Sequence, residues 1–200
     1  MWTNNLTKLR KLSINYLLTE CGGVLSTDRV LILCDSTTKD IAIAFTKISQ
    51  KKTNYVECKE IPELKTHGQE PQNNVTNAMC QATLIISLCR YSLAHSQARI
   101  DASDSGARFL SLPLYNWELL DAPCIQADYK AQASTVRHFA NAFTAGNTVH
   151  VTSTAGSDLT LEINQRHGNY CPGFVEKAGD LGSPPDIEAN ISPLENSAEG

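Results

Sequence analysis

The residues with the clearest potential for chemistry are acidic side chains in the last fifty positions. Glu188 and Asn190 alternate with the apolar residues Ile187, Ala189 and Ile191. This period of two is typical of a strand and would place Glu188 and Asn190 on one face. A carboxylate there can ligate a divalent metal or act as a general base. A solvated strand face alternates in the same way, so the pattern leaves a structural role open.

Three further acidic residues are candidate neighbours. Asp158 follows the turn at residues 154–157, where a carboxylate can bind backbone amides, so a turn-stabilising role is at least as well supported as a catalytic one. Glu195 and Glu199 add negative charge that would suit a cation, although both could simply be solvated. No catalytic residue is assigned. The predicted site has Glu188 as its metal ligand and four neighbours: Asp158, Asn190, Glu195 and Glu199.

Hydrophobic periodicity predicts the elements that position these side chains. Strand character is found at residues 29–35, 54–58, 82–88 and 108–112. Helical spacing is found at residues 6–18, 36–49, 75–80 and 95–105. Strands that alternate with helices favour a parallel sheet with helices on both faces. Residues 1–115 are therefore predicted to form one doubly wound α/β domain.

Asp35 ends the first predicted strand, where open α/β sheets gather ligand contacts. Its more ordinary role is to cap the next helix or to stabilise the turn. The residues that follow it contain no glycine, so the usual phosphate- and dinucleotide-binding fingerprints are absent.

The pattern changes after residue 115. One helix is predicted within residues 124–144, followed by alternating strands at 147–152 and 159–163 that would form an antiparallel hairpin. The fold class is therefore α/β, with an N-terminal doubly wound parallel sheet and the start of a second, mixed α+β domain with antiparallel strands. Residues 116–200 are predicted to be an incomplete, opening part of that second domain.

Composition excludes several classes of function. The net charge of −4 and the lack of a basic face argue against nucleic acid as a partner. No apolar run approaches the roughly 18 residues of a membrane helix, and no leader is visible, which predicts a cytoplasmic protein without a membrane partner.

The seven cysteines have no CxxC spacing and are interpreted as reduced, buried thiols, with a thiol nucleophile at Cys34 or Cys171 as the alternative. The five histidines are scattered, and His138 and His150 are interpreted as surface residues of a helix and a strand.

From about residue 107 onward, the order of several short motifs resembles the aminopeptidase T (leucyl aminopeptidase) family of metallopeptidases and its 2,5-dihydroxypyridine 5,6-dioxygenase-like relatives. The motifs are residues 108–110, 127–129, 156–160, 179–182, 185–188 and 193–200. The resemblance implies an N-terminal α/β domain and a C-terminal metal-binding domain, which residues 116–200 would open, often in a homodimer. It also implies that Glu188 is a metal ligand.

The two branches of the family imply different chemistry. In the peptidase branch, two divalent ions such as zinc or cobalt activate water for attack on the N-terminal peptide bond. In the dioxygenase-like branch, a ferrous ion held by two histidines and an aspartate activates oxygen for ring cleavage, and residues 179–188 look nearer to this branch. In both branches further ligands, including a late His-x-Asp pair, would follow Gly200.

The first expectation is therefore the N-terminal part of an aminopeptidase T-like metalloenzyme that is inactive alone. The alternatives are a dioxygenase-like non-haem iron protein and a non-catalytic peptide- or ligand-binding homologue. The expected partners are a peptide or small-molecule substrate and a second copy of the chain.

Overall fold

The continuous apolar runs become parallel strands in the computed structural model, which describes residues 5–200. The strands are β1 (Arg29–Cys34), β2 (Tyr55–Glu60), β3 (Leu84–Ser87), β4 (Arg108–Ser111), β5 (Thr148–Thr152), β6 (Asp158–Glu162), β7 (Asn169–Cys171), β8 (Leu181–Gly182) and β9 (Glu188–Asn190). Five of them form one sheet in the order β2-β1-β3-β4-β8, with every neighbouring pair parallel. The predicted α/β class is confirmed.

Six α-helices accompany these strands in residues 5–200. They are α1 (Lys8–Tyr16), α2 (Lys39–Ser49), α3 (Asn73–Gln81), α4 (Gln97–Asp104), α5 (Trp117–Asp121) and α6 (Tyr129–Ala145). A π-helical turn, Leu17–Cys21, extends α1, and a 3₁₀ turn, Pro123–Gln126, precedes α6. Among the helices of the described residues, none has the length and apolar character needed to cross a bilayer.

Both faces of the central strands are buried, as their unbroken apolar sequences predict. Leu33, Ile85 and Phe109 face one side, where they pack with residues of α3 and α4. Because side chains alternate along a strand, the even-numbered residues face the opposite side, where α2 packs against β1 and β2. Helices therefore cover both faces of the sheet, which is the doubly wound arrangement.

A buried ion pair joins the beginnings of β1 and β4. Arg108 Nη2 lies 2.6 Å from Asp28 Oδ2, and both side chains are almost fully buried. Arg108 Nη1 also donates to the Gly23 carbonyl at 2.8 Å. Asp28 accepts hydrogen bonds from the Leu25 backbone N–H and the Thr83 hydroxyl, each at 2.7 Å. The pair thus ties the loop before β1 to Thr83, which precedes β3, and to Arg108, the first residue of β4.

The chain forms two compact units whose limits differ from the division expected at residue 115. The first unit comprises residues 5–127 and 173–185, and the second comprises 128–172 and 186–200. Residues 116–127 stay with the first unit through contacts such as the hydrogen bond from the Tyr16 hydroxyl to the Ala127 carbonyl at 2.8 Å. Residues 173–185 return to place β8 beside β4. A return of the chain over such a distance leaves no local pattern in the sequence.

The second unit combines one long helix with two antiparallel strand pairs. The Asp128 carboxylate caps α6 by accepting from the Ala131 backbone N–H at 3.0 Å. β5 and β6 pair antiparallel, which confirms the predicted hairpin, and β7 pairs antiparallel with β9 against α6. Gly168 precedes β7 and lies against the Ala140 carbonyl and the Phe143 side chain, so the space for a Cβ atom is already filled.

Replacing Arg108 should be much more damaging than replacing an exposed arginine of an ion pair. Arg108→Ala leaves the Asp28 carboxylate buried without its cation, and we expect the free energy of unfolding to fall by roughly 3–5 kcal/mol. The matched control is Arg90→Ala, because Arg90 pairs with Glu63 at 3.2 Å on the surface, and an exposed pair contributes at most about 1 kcal/mol. Urea denaturation of both variants measures the difference, and equal losses would contradict the assigned role of the pair.

The same pair predicts a dependence of stability on pH. Burial raises the pKa of Asp28, but hydrogen bonds from Leu25, Thr83 and Arg108 outweigh it and hold the pKa below its usual value of 3.8. This contribution to stability is therefore present above the unfolded-state pKa and is lost as the pH falls from about 4 through the folded-state pKa. The free energy of unfolding should therefore decrease less on acidification in the Asp28→Asn variant than in wild type.

Candidate functional site

Glu188 and Asn190 lie on β9 with their side chains on one face, as predicted. The Asn190 amide donates a hydrogen bond to Glu188 Oε1 at 2.9 Å. Glu188 is exposed and Asn190 is half-buried, so the carboxylate is open to solvent while the amide positions it. The geometry agrees with the strand prediction, and the role of Glu188 as a metal ligand stays a prediction.

The neighbouring strand β7 adds two side chains to this face. Asn169 is paired in register with Asn190, and Cys171 with Glu188. The Asn169 amide donates to Asn190 Oδ1 at 2.7 Å, and Asn190 Nδ2 lies 3.9 Å from Cys171 Sγ. We call these four residues, Glu188, Asn190, Asn169 and Cys171, the β7–β9 cluster.

The electrostatics of the β7–β9 cluster keep Cys171 protonated. Burial raises the pKa of the Cys171 thiol, and the negative charge of Glu188 raises it further. The Asn190 amide acts in the opposite direction, and Asp186 adds a smaller increase. A neutral thiol beside a carboxylate is a poor nucleophile. The cluster therefore offers an anionic oxygen with oriented amides, and it does not favour the thiol-nucleophile alternative for Cys171.

Sequence reasoning did not associate Asn169 or Cys171 with Glu188. β7 has three residues, too few for a period of two to be recognised. The residues that pair between β7 and β9 are at least seventeen positions apart (Cys171 with Glu188), and the chain passes through the first unit between them. The alternation of polar and apolar residues around Glu188 was the only pattern in the sequence that indicated a strand in this cluster.

Asp158 is at the start of β6, where its Oδ1 lies 2.7 Å from His150 Nε2. Both side chains are largely exposed. The interpretation of Asp158 as an acceptor for the turn amides is wrong, because Ser153 serves that purpose: its hydroxyl accepts from the Ser157 backbone N–H at 3.1 Å, and its backbone closes the turn. His150 is an exposed strand residue and His138 an exposed helix residue, as predicted.

Glu195 and Glu199 each have another partner. Glu195 Oε2 lies 2.8 Å from Arg166 Nη2, and a hydrogen bond from its own backbone together with Arg166 lowers the pKa of Glu195. Glu199 extends the β5–β6 hairpin through its backbone, since its N–H and carbonyl both bond Thr160, at 3.0 and 2.8 Å. The predicted site residues are therefore divided between the β7–β9 cluster, the hairpin and a surface ion pair.

The donor set does not complete a metal site within residues 5–200. In this part of the chain no three His, Cys, Asp or Glu side chains are close enough to hold one ion. Catalytic zinc and non-haem iron sites take three or more protein ligands. The described residues thus do not fit a whole iron or zinc site, and Glu188 would be one ligand among others.

Asp35 has the structural role that was the ordinary interpretation of its position. Its Oδ1 accepts from the Thr37 backbone N–H at 2.9 Å, and its Oδ2 accepts from the Arg90 backbone N–H at 2.6 Å. These bonds connect the loop after β1 to the loop after β3. The order of the strands in the sheet reverses between β1 and β3, and open α/β sheets commonly bind ligands at such a position. The buried carboxylate is therefore committed to holding the two loops together.

A cleft of about 530 Å³ opens in the first unit along α2. Its polar lining includes Lys39, Asp40 and Lys47, and Trp117 borders it while donating its indole N–H to Asp40 at 2.7 Å. The cleft lining contains none of the five predicted site residues.

Comparison with known proteins identifies the family. A family model described as NicX, 2,5-dihydroxypyridine 5,6-dioxygenase, matches residues 18–200, and the chain belongs to this family. No curated protein sequence matches significantly.

Two solved structures are similar to the chain in fold. The 2,5-dihydroxypyridine dioxygenase from Pseudomonas putida KT2440 superposes with a TM-score of 0.79 at 21% identity, covering 96% of this chain and 57% of that one. Wild-type AmpT from Thermus thermophilus superposes with a TM-score of 0.68 at 9% identity, covering 98% of this chain and 64% of that one. The chain thus spans less than two thirds of either relative. The resemblance to both branches is confirmed, and the family match favours the dioxygenase branch over the peptidase branch that was expected first.

Because Asn190 belongs to the β7–β9 cluster, its replacement by alanine should destabilise the protein more than the same substitution at an asparagine outside the cluster. Asn190→Ala removes an amide that contacts Asn169, Glu188 and Cys171, and we expect a loss of about 1 kcal/mol in the free energy of unfolding. The matched control is Asn164→Ala, since Asn164 is also half-buried but makes one long bond, 3.5 Å to Glu162. Urea denaturation compares them, and a control that loses as much as Asn190→Ala would show that the cluster contributes no stability of its own.

Proposed function

We propose that this chain is the N-terminal part of an oxygen-dependent enzyme that cleaves a dihydroxylated aromatic ring, with a ring such as 2,5-dihydroxypyridine as the substrate class. The observation that carries this proposal is the family match over residues 18–200, which includes both compact units. The likeness in fold to the Pseudomonas putida dioxygenase agrees with it.

In this proposal, the chain contributes Glu188 and its oriented amides to the site. An exposed carboxylate that accepts from a fixed amide can bind a cation or take a proton from a ring hydroxyl. The donors of residues 5–200 supply no complete ligand set, so the iron expected for the family needs ligands from outside these residues. The chain alone is therefore expected to have no turnover.

Two other functions are alternatives with less support. A metal-dependent aminopeptidase is supported by likeness in fold to AmpT at 9% identity. A non-catalytic homologue that binds peptides or small ligands would need only the fold and an open polar face. Assembly as a homodimer stays a prediction for all three.

The proposed reaction can be separated from peptide hydrolysis by its need for oxygen. The test uses the protein translated from the full reading frame that encodes this chain, loaded with ferrous iron. Oxygen uptake and loss of 2,5-dihydroxypyridine absorbance should occur together, and both should stop under anaerobic conditions. Hydrolysis of leucyl p-nitroanilide under nitrogen would instead support the aminopeptidase, and ligand binding without either activity would support the non-catalytic homologue.

Glu188→Gln tests the contribution of the chain to that activity. We expect kcat/KM to fall roughly 10- to 100-fold, the range observed when groups that support a metal site are changed. Glu195→Gln is the matched control because it makes the same change at an exposed carboxylate paired with Arg166, and it should stay within a few-fold of wild type. Equal activity of both variants would remove Glu188 from the site.

A further inference from the structure

The outer edge of β2 is accessible, and the proposed function does not use it. Within the described residues, β2 is the end strand of the parallel sheet and has β1 as its one neighbouring strand. Every residue of β2 is exposed or half-buried, and Tyr55 at its start has 63% of its surface exposed. The backbone N–H and carbonyl groups along such an edge can pair with a strand of another chain.

The pairing of β2 with β1 shows which residues direct their backbone groups to this outer edge. The Ile61 backbone N–H, directly after β2, donates to the Cys34 carbonyl at 2.8 Å, so Ile61 directs its backbone toward β1. Successive residues of a strand direct their backbone groups to alternate edges, so every second residue before Ile61 also faces β1. The residues that direct their backbone groups outward are Val56, Cys58 and Glu60.

Two charged side chains of opposite sign lie on one face of β2. Lys59 Nζ is 3.4 Å from Glu57 Oε1, which places both side chains on the same side of the strand. Charged residues on an edge usually keep identical chains apart, because pairing would bring like charges together. In β2 the two charges are two residues apart and of opposite sign, so their effect depends on the register of the pairing.

The geometry of an edge restricts the registers that a second copy can adopt. Two identical chains in a closed pair are related by a two-fold axis, which makes the strands at that axis antiparallel. Only residues that direct their backbone outward can exchange hydrogen bonds, so these residues must lie opposite one another. The two longest registers that meet this condition are centred on Glu57, which pairs residues 55–59, and on Cys58, which pairs residues 56–60.

The charges distinguish these two registers. The register centred on Glu57 places this carboxylate opposite Glu57 of the second copy, and like charges directly opposite are destabilising. The register centred on Cys58 places each Glu57 opposite Lys59 of the other copy, so that the four charges alternate in sign. It also places the exposed ring of Tyr55 opposite Ile61 of the second copy. Charge complementarity therefore favours the register centred on Cys58.

We propose that the outer edge of β2 binds a second copy of this chain as an antiparallel strand, in the register centred on Cys58. The outward-directed residues of the two copies exchange backbone hydrogen bonds, and Glu57 of each copy pairs with Lys59 of the other. The two five-stranded sheets become one continuous sheet. The proposal is independent of the proposed reaction, because β2 contains no residue of the β7–β9 cluster.

Cys58 provides a direct report on this register. Residues that form a hydrogen-bonded antiparallel pair have Cα atoms about 5.5 Å apart, which is within the range of about 4.4–6.8 Å that disulfides require. Cys58 is exposed, so an oxidant in solution can reach it. Diamide should therefore join the two copies: an S–S bond forms between the two Cys58 sulfurs, and diamide takes up the two protons and two electrons.

The test treats the protein translated from the full reading frame with diamide and maps the products by mass spectrometry. We expect a peptide in which Cys58 of one copy is linked to Cys58 of another, and Cys58→Ser should abolish it. Cys124→Ser is the matched control, because Cys124 is also exposed but lies outside β2. This control should form the same linked peptide at the wild-type rate.

Exchange of the two charges tests the register itself. Glu57→Lys places like charges opposite each other and should slow formation of the linked peptide by about tenfold. The double variant Glu57→Lys/Lys59→Glu restores opposite charges and should recover the wild-type rate. Glu176→Lys makes the same change of charge at an exposed residue of the first unit and should have no effect. Alkylation of Cys58 by iodoacetamide corrects for changes in thiol reactivity, and circular dichroism establishes that each variant is folded.

Three results would overturn the proposal. One is the absence of the linked peptide although Cys58 is alkylated readily, because the edge is then uncovered. Another is a Cys58 that is protected from alkylation but never linked, because a different segment or protein then covers the edge. The third is a rate in Glu57→Lys equal to that of wild type, or a double variant that stays as slow as Glu57→Lys.

Discussion

The buried ion pair between Asp28 and Arg108 is the interaction on which the sheet depends. The two charges are 2.6 Å apart with almost no exposure. Their remaining hydrogen-bonding capacity is used by the loop before β1 and by Thr83, which precedes β3. The beginnings of β1, β3 and β4, which are far apart in sequence, are therefore held side by side at one end of the sheet. A parallel sheet needs such an anchor, since long crossovers rather than tight turns connect its strands.

At the opposite end of the sheet, a second buried carboxylate has a similar structural purpose. Asp35 binds the backbone of the loops after β1 and β3, at the position where open α/β sheets commonly bind ligands. Because its oxygens are already bonded, Asp35 itself is not free to bind a ligand. Glu188, on a short strand of the second unit, is in contrast exposed and accepts a hydrogen bond from the Asn190 amide. The buried carboxylates of Asp28 and Asp35 thus have structural roles, whereas the carboxylate proposed to take part in chemistry is that of Glu188.

The cysteines show how the position of a strand in the sheet decides exposure. Cys34 ends the central strand β1 and is buried, whereas Cys58 lies on the edge strand β2 and is exposed. The interpretation of the cysteines as buried thiols holds for Cys21, Cys34 and Cys89, but Cys58 and Cys124 are exposed. Edge strands are half-buried, so apolar neighbours in sequence do not establish the burial of a cysteine there.

The sequence by itself determined the class of the fold, the four main strands, the hairpin and the shared face of Glu188 and Asn190. These features follow from hydrophobic periodicity, which is local and repeats over enough residues to be recognised. Only the tertiary structure decided that residues 173–185 return to the first unit, that Asn169 and Cys171 lie beside Glu188, and that β2 is an edge strand on which Cys58 is exposed. Each of these depends on which distant strands pair and in what register. Strands of two or three residues carry no period, and a register is set by packing between segments rather than by either segment alone.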